Sequence, residues 1–414
     1  MGIMRRCLFL GMMVLFMFTA LSLEIVFWYP LSGTKGEVFK SIVEEFNKTH
    51  PSIKVKLVYT GKYRDTAQKV MAALATGTLP NGGIIPAGPI FTGPYGNYKI
   101  LEYIEKDPEF DMNDFYNVAW EYSKYKGKIC AIPYNISTPI LIYNKKLLKE
   151  AGLDPNKPPE TWDELLEYAK KMTKDLNGDG EPDVWGLNVK DVPWIFKAML
   201  LQNDCGIIDS KTLNPLFDSP KGIEAAKFWK KLVDEKAMPV GMHNLADKQF
   251  QSGTLGFYMG SSSRIGRWSG KLPFEWGVAF LPKKVKRAIP IGGAVLVIFP
   301  HSKAEDDATW EFIKYLVSPE KLAEFCMKTG YIPIRKSVLE LPEVKKFMEE
   351  HPEYKVAFEQ MKYGKAYWHF EAMGTMDMLL YEYIDKLERG LLTPEEAMKE
   401  AAEKLREEIE GEGK

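Results

Sequence analysis

The stretch "LEIVFWYPLSGTKGEVFKSIVEEFNKTHPSIKVKLVY" (residues 23–59) constrains the fold more than any other part of the chain. "LEIVFWY" is a β-prone run. Phe39, Ile42, Val43 and Phe46 then recur at helical spacing, which predicts an amphipathic helix from Gly36 to about Lys48. "THP" stops that helix, and "IKVKLVY" alternates apolar and polar residues like a half-exposed strand. Strand, helix and strand at this separation make a βαβ unit, whose two strands lie parallel in one sheet. The chain therefore opens as an α/β lobe.

What precedes this unit reads as a secretory signal peptide over residues 1–22. Arg5 and Arg6 lead into an apolar run from Cys7 to Thr19, followed by small residues around Ala20 and Ser22. The run is too short and too early for a comfortable membrane span. Cleavage near Ala20–Leu23 would start the mature chain at about Glu24, with no cysteine at the junction to carry a lipid. Loss of the two arginines takes the formal charge from −1 to −3, a balance that gives no reason to expect nucleic acid. The remaining Cys130, Cys205 and Cys326 lie far apart in apolar surroundings, as buried thiols rather than a disulfide framework.

The mature length, about 390 residues, exceeds one ordinary core, so two lobes are expected. Helix caps punctuate the rest of the chain. Thr161 with Glu164 and Thr393 with Glu396 form capping boxes, Pro394 fits a first helical position, and "SPEKLAEFCMKTG" runs from a Ser318 cap to Gly330. Short strands at 254–260, 276–282 and 294–300 lie between the helical stretches. The pattern describes two α/β lobes with the chain crossing between them more than once.

Catalytic motifs are missing. The histidines, at 50, 243, 301, 351 and 369, are scattered, and there is no HExxH, CxxC, GxSxG, P-loop or GxGxxG. A pair of glycosidase carboxylates has no spacing to select it, so a secreted glycoside hydrolase stands only as an alternative. No cofactor is implied. "DLNGDGEPD" (175–183) places Asp175, Asn177, Asp179 and Asp183 like positions 1, 3, 5 and 9 of a calcium loop. The twelfth position is Gly186, where a bidentate Glu belongs, which favours a polar loop stabilised by its own Asx turns over a calcium site.

Five segments place turn-forming or hydroxyl residues beside a strand or helix end: "TGKYRDT" (60–66), "PYNISTP" (133–139), "MGSSSR" (259–264), "PIGGAVLV" (290–297) and "KTGYIPI" (328–334). Hydroxyls and bare amides in such places suit a small polar ligand, Asn135 and Ser137 among them. Trp28, Tyr29, Tyr63, Trp194 and Tyr331 add aromatic faces for the C–H faces of a saccharide, whereas Trp162, Trp229 and Trp310 fall in helical patterns and read as core.

"EFNKTHPSIKV", "ALATGTLP", "PYNISTPILIYNKKLLKEAGLDPNKPPETWDEL", "IGGAVLV" and "KTGYIPI" follow one another between residues 45 and 334. In this order the chain resembles the extracytoplasmic solute-binding proteins of bacterial carbohydrate ABC importers, most of all their glycerol-3-phosphate-binding members. The resemblance implies a type II two-lobe fold with the ligand cleft between lobes. The N-terminal lobe would take residues 24–133 and about 288–334, the C-terminal lobe about 139–285 and 336–414. It also implies that Tyr63, Ser137, Trp194, Ser261, Gly293 and Tyr331 surround the ligand, with Gly292 beside Gly293.

Two positions depart from that pattern. The phosphate-pairing arginine of the glycerol-3-phosphate binders falls at Asp377, with Arg264 the nearest substitute, and an acidic position falls near Ala87. Asp377 would repel a phosphate but suits neighbouring hydroxyls. The expected ligand is therefore an uncharged sugar or polyol, with glycerol 3-phosphate or a phosphodiester relative as the alternative. By the same resemblance the protein acts outside the cytoplasm as a monomer. It closes its lobes on the ligand and docks on the transmembrane subunits of an ABC permease, with no chemistry of its own.

Overall fold

A computed structural model describes residues 22–86, 99–125, 127–365 and 372–412. Ala87, His369 and nearly all of the expected signal peptide lie outside the described residues. In chain order the first elements are β1 (Leu23–Tyr29), α1 (Thr34–Thr49), β2 (Ile53–Tyr59), α2 (Tyr63–Thr76), β3 (Gly82–Pro86), α3 (Lys99–Lys106) and α4 (Asn117–Tyr122). Then come β4 (Lys124–Tyr125), β5 (Lys128–Ile129), β6 (Ile132–Pro133), β7 (Pro139–Asn144), α5 (Lys145–Glu150), α6 (Trp162–Met172), β8 (Trp185–Val189), α7 (Val192–Gln202) and α8 (Pro220–Asp234). After these follow α9 (Ala246–Gln251), β9 (Leu255–Ser261), α10 (Arg264–Trp268), β10 (Trp276–Ala279), β11 (Ile289–Pro290) and β12 (Ala294–Ile298). The chain ends with α11 (Lys303–Leu316), α12 (Pro319–Thr329), α13 (Pro342–Glu350), α14 (Pro352–Gln360), β13 (Gly364–Lys365), α15 (Met373–Glu388) and α16 (Pro394–Glu412).

Two sheets organise these elements. The first has the order β2-β1-β3-β12-β6, with β1 parallel to β2 and β3, and β12 antiparallel to β3 and β6. The second has the order β10-β7-β9-β8, with β8 and β9 parallel and the other pairs antiparallel. The opening βαβ unit forms because its patterns agree with its burial. Ile25, Phe27 and Tyr29 alternate into the core, and α1 buries Phe39, Ile42, Val43 and Phe46. The capping boxes are made: Glu164 N donates to Thr161 Oγ1 at 3.2 Å while Thr161 N donates to the Glu164 carboxylate at 3.1 Å. Thr393 and Glu396 repeat this, and α12 ends at Gly330 in the left-handed conformation. Trp162, Trp229 and Trp310 are buried. The three cysteines are free, and burial pushes the Cys130 thiol up to about 11.

Three segments cross between the sheets side by side. Residues 134–138 leave β6 for β7, residues 291–293 return from β11 to β12, and residues 331–335 leave α12. Ser137 N donates to Gly292 O at 2.8 Å and Gly292 N to Ser137 O at 3.0 Å, while Ile332 N donates to Ile136 O at 2.9 Å. The middle crossing is thus laced to both outer ones. The C-terminal ends of β1 and β2 and those of β8 and β9 lead into residues that meet above this base, which is where open parallel sheets place ligands.

The 175–183 loop serves itself. Asp175 accepts from Gly178 N at 2.7 Å and Gly180 N at 2.8 Å, Asp183 from Leu176 N at 2.7 Å, and Asn177 and Asp179 from the amides two residues on. The Gly180 and Gly178 amides hold the Asp175 carboxyl below its usual range. Gly186 already belongs to β8, where a Cβ would lie 1.8 Å from Ala169 O of α6. The twelfth ligand of a calcium loop therefore has no room to exist. Among the described residues, no group of three or more His, Cys, Asp and Glu side chains is arranged to hold a metal.

Candidate functional site

The middle crossing, Tyr134–Thr138, sorts its polar side chains into two kinds. Thr138 is fully buried, with its amide donating to Ser262 Oγ at 3.3 Å and its hydroxyl accepting from Gln360 at 3.2 Å. It ties the crossing to the second lobe. Tyr134 is buried between Phe325 and Phe39. Asn135, also fully buried, instead turns its amide to the cleft and donates to Tyr63 Oη.

From there a polar chain runs across both lobes. Tyr63 Oη and Tyr331 Oη lie 3.0 Å apart. Lys35 Nζ reaches Tyr331 Oη at 3.5 Å, lies 4.5 Å from the centre of its ring, and donates to Ser263 Oγ at 2.8 Å. Ser263 Oγ is 2.9 Å from Ser261 Oγ. Lys35, Tyr63 and Tyr331 come from the first turn of α1, the first turn of α2 and the end of α12. Ser261 and Ser263 stand at the end of β9 in the other sheet. The cluster exists only because the two sheets face each other.

The two tyrosines differ in their surroundings. Burial raises the Tyr63 hydroxyl well above the usual range, and neighbouring Tyr331 adds to that. Burial also acts on Tyr331, but the Lys35 ammonium and the bonds from Tyr63 and Asn135 outweigh it and bring that hydroxyl below its usual value. The two hydroxyls share one hydrogen bond, and Tyr331 also accepts from Lys35. Asn135 Oδ1 and Trp194 Nε1 are buried without a hydrogen-bond partner among the described residues. An unmet buried polar atom costs about 1–3 kcal/mol, which the hydroxyls of a ligand can offset.

The other residues named from sequence lie as follows. Gly292 and Gly293 are on the second crossing, and a Cβ on Gly292 would meet the Trp194 indole at 3.0 Å. The indole thus lies against bare backbone. Ser137 is nearly buried beside Gly292. Tyr29 is buried, its ring packed on Phe39 and Tyr59 at 5.4 and 5.6 Å, and it makes no hydrogen bond to the cluster among the described residues. Asp377, on α15, is held by Lys197 Nζ at 2.7 Å, so one carboxylate oxygen is occupied by a buried lysine. Arg264 is committed as well, donating to Asp247 at 3.0 Å and Tyr258 Oη at 3.1 Å.

The sequence reading missed Lys35 and Ser263. A lysine in the first turn of an amphipathic helix looks like one more solvated charge, and only the lobe-to-lobe approach brings it onto Tyr331. Ser263 was within "MGSSSR", but β-strand alternation alone does not show which hydroxyl turns back toward Ser261.

The family model described as "Bacterial extracellular solute-binding protein" matches residues 41–355. The chain belongs to this family. Among its relatives, the sn-glycerol-3-phosphate-binding periplasmic protein UgpB of Shigella dysenteriae is 26% identical over 410 residues, covering 92% of this chain and 91% of the relative. Among solved structures, UgpB from Mycobacterium tuberculosis in complex with glycerophosphocholine superposes with a TM-score of 0.80 at 22% identity, covering 95% and 100% of the two chains. The cyclic alpha-maltosyl-1,6-maltose binding protein from Arthrobacter globiformis gives 0.77 at 24% identity, covering 93% and 98%. The protein has the two-lobe α/β fold of these binding proteins. No described helix is long and apolar enough to cross a membrane.

Proposed function

We propose that the protein is the extracytoplasmic binding component of an ABC importer. It encloses a small polyhydroxylated solute between its lobes and presents it to the transmembrane subunits of a permease. The observation that carries this is the cross-lobe chain of Asn135, Tyr63, Tyr331, Lys35, Ser263 and Ser261 at the base of the cleft. Hydroxyls, an amide and one ammonium make a surface that hydrogen-bonds a polyhydroxylated solute. Trp194, half-buried and packed on Gly292, offers an aromatic face beside them. Ligand contacts from both lobes stabilise the closed arrangement, and closure is what the permease reads.

The ligand this site suits best is an uncharged sugar or polyol. By the resemblance Asp377 takes the place of a phosphate-pairing arginine, Lys197 holds one of its carboxylate oxygens, and Arg264 is spent on Asp247. One observation favours a glycerophosphate instead: the Lys35 ammonium donates to neutral hydroxyls, Ser263 and Tyr331. Calorimetry with mono-, di- and trisaccharides, polyols, glycerol 3-phosphate and glycerophosphocholine separates the two. Sugar or polyol binding is expected. Tight binding of glycerol 3-phosphate with no response to uncharged solutes would overturn the neutral-ligand reading.

A further inference from the structure

Asp191 is a charged residue of the cleft that no motif singled out. Strand register fixes its place. β8 and β9 run parallel with Val189 opposite Met259, and Lys190 N donates to Met259 O at 2.8 Å. Ser261 closes β9 and Asp191 lies just past the end of β8, each two residues beyond the same pair, at the end that faces the other lobe. Asp191 is also the N-cap of α7, and Trp194 N donates to its carbonyl at 2.9 Å. It thus stands between the Trp194 face on one side and the Ser261–Ser263–Lys35 chain on the other.

Two properties mark it as more than a cap, beside a left-handed backbone at φ 62° of the kind Asp and Asn adopt readily. Its side chain is exposed and makes no cap hydrogen bond to its own helix. Yet the surrounding protein walls it in, and that desolvation raises the carboxyl above its usual range although Arg264, Lys190 and Lys35 pull the other way. A side chain that is open to solvent and still crowded lines a cleft rather than a convex surface. Lys35 belongs to the opposite lobe, and its charge acts on this carboxyl from there.

We infer that Asp191 is a specificity-determining ligand contact, its carboxylate accepting hydrogen bonds from adjacent hydroxyls of an uncharged saccharide or polyol while Lys35 donates to the ligand's oxygens from the other lobe. The inference rests on the proposed function and narrows it. A carboxylate at this place repels a phosphate and receives a vicinal diol. Asp191 would thus do for hydroxyls what the sequence alone assigned to Asp377.

The test uses the whole mature protein with two variants, Asp191→Asn and Asp191→Gly. Both residues tolerate the left-handed backbone, and ligand-free melting checks that they fold. Calorimetry with the uncharged sugars and polyols, glycerol 3-phosphate and glycerophosphocholine should show an uncharged ligand binding the wild type. That affinity should fall about 10- to 100-fold in both variants, the scale of a charge-assisted bond. Unchanged affinity for the uncharged ligand in both variants would overturn the role of Asp191. So would a wild type that binds only the phosphate-bearing probes. A wild type that binds no probe of either kind would instead overturn the proposed function itself.

Discussion

Gly293→Ala tests how the crossing segments hold the cleft. Gly293 sits at φ +146°, and an added Cβ would lie 2.4 Å from Asn135 O and 3.0 Å from Ile136 Cα. Both are backbone atoms of the middle crossing, so no side chain can swing away. To reach ordinary contact the Asn135 carbonyl must retreat by about 1 Å. The backbone conformation costs about 1–3 kcal/mol for a residue with a Cβ, and the overpacking a similar amount, so roughly 2–6 kcal/mol is at stake. Unfolding entropy of about 2.1 cal/mol/K per residue amounts to about 0.8 kcal/mol/K for a chain of this size. The melting temperature should therefore fall by roughly 2–7 °C in a circular-dichroism melt. A shift of about 1 Å also lengthens and misaligns the bond from the Asn135 amide to Tyr63 Oη, so ligand affinity measured by calorimetry should fall with it. Gly292→Ala is the control: the nearest atoms to its Cβ belong to the Trp194 indole, a side chain that can tilt, and stability should fall less. A Gly293→Ala protein that melted with the wild type and bound ligand equally well would refute the reasoning.

Other perturbations probe separate parts of the molecule. Lys35→Met removes the ammonium's bonds to Ser263 and Tyr331 and its contact with the Tyr331 ring, together about 1–2 kcal/mol at this half-exposed site. Ligand-free scattering should then show a larger radius of gyration, and an unaltered profile would count against a lobe-to-lobe tie. Glu388 is buried and receives Trp229 Nε1 at 2.7 Å and Gly241 N at 2.8 Å, with His243 Nε2 at 2.8 Å. Glu388→Ala should cost about 3–5 kcal/mol in urea titration, and Glu388→Gln clearly less; equal losses would contradict this account. Asp114 anchors the third crossing through Arg335 Nε, Ser337 N and Ser337 Oγ. Burial tends to raise its carboxyl, but the Ser337 and Arg335 bonds prevail and hold it below the usual range. Its stabilisation is thus complete above about pH 4 and lost as pH falls through the folded-state value. Asp114→Asn should be less stable than wild type at pH 7 and converge with it in strong acid, and a gap that persisted there would speak against the assignment.

Local physics made much of the architecture legible. The βαβ opening, the two capping boxes and the Gly330 stop depend on residues close in sequence, and each occurs where its pattern stands. The calcium-like loop shows the limit of a motif. Its side chains match the first nine positions, but Gly186 must pack against α6, and the acids turn onto their own amides. Tyr29 shows what a strand's pleat adds: the alternation of β1 turns its ring onto Phe39.

By itself, then, the sequence determined the two α/β lobes, the family and the polar crossing "PYNISTP", because periodicity, caps and ordered motifs are properties of neighbours along the chain. Only the tertiary structure decided which polar groups share a cleft. Lys35 meets Ser263 across 228 positions, Tyr63 meets Tyr331 across 268, and Lys197 takes a carboxylate oxygen of Asp377 from 180 residues away. Charge and hydrogen bonding act through space, so a side chain's partner, and with it the ligand it can accept, is set when the lobes face each other.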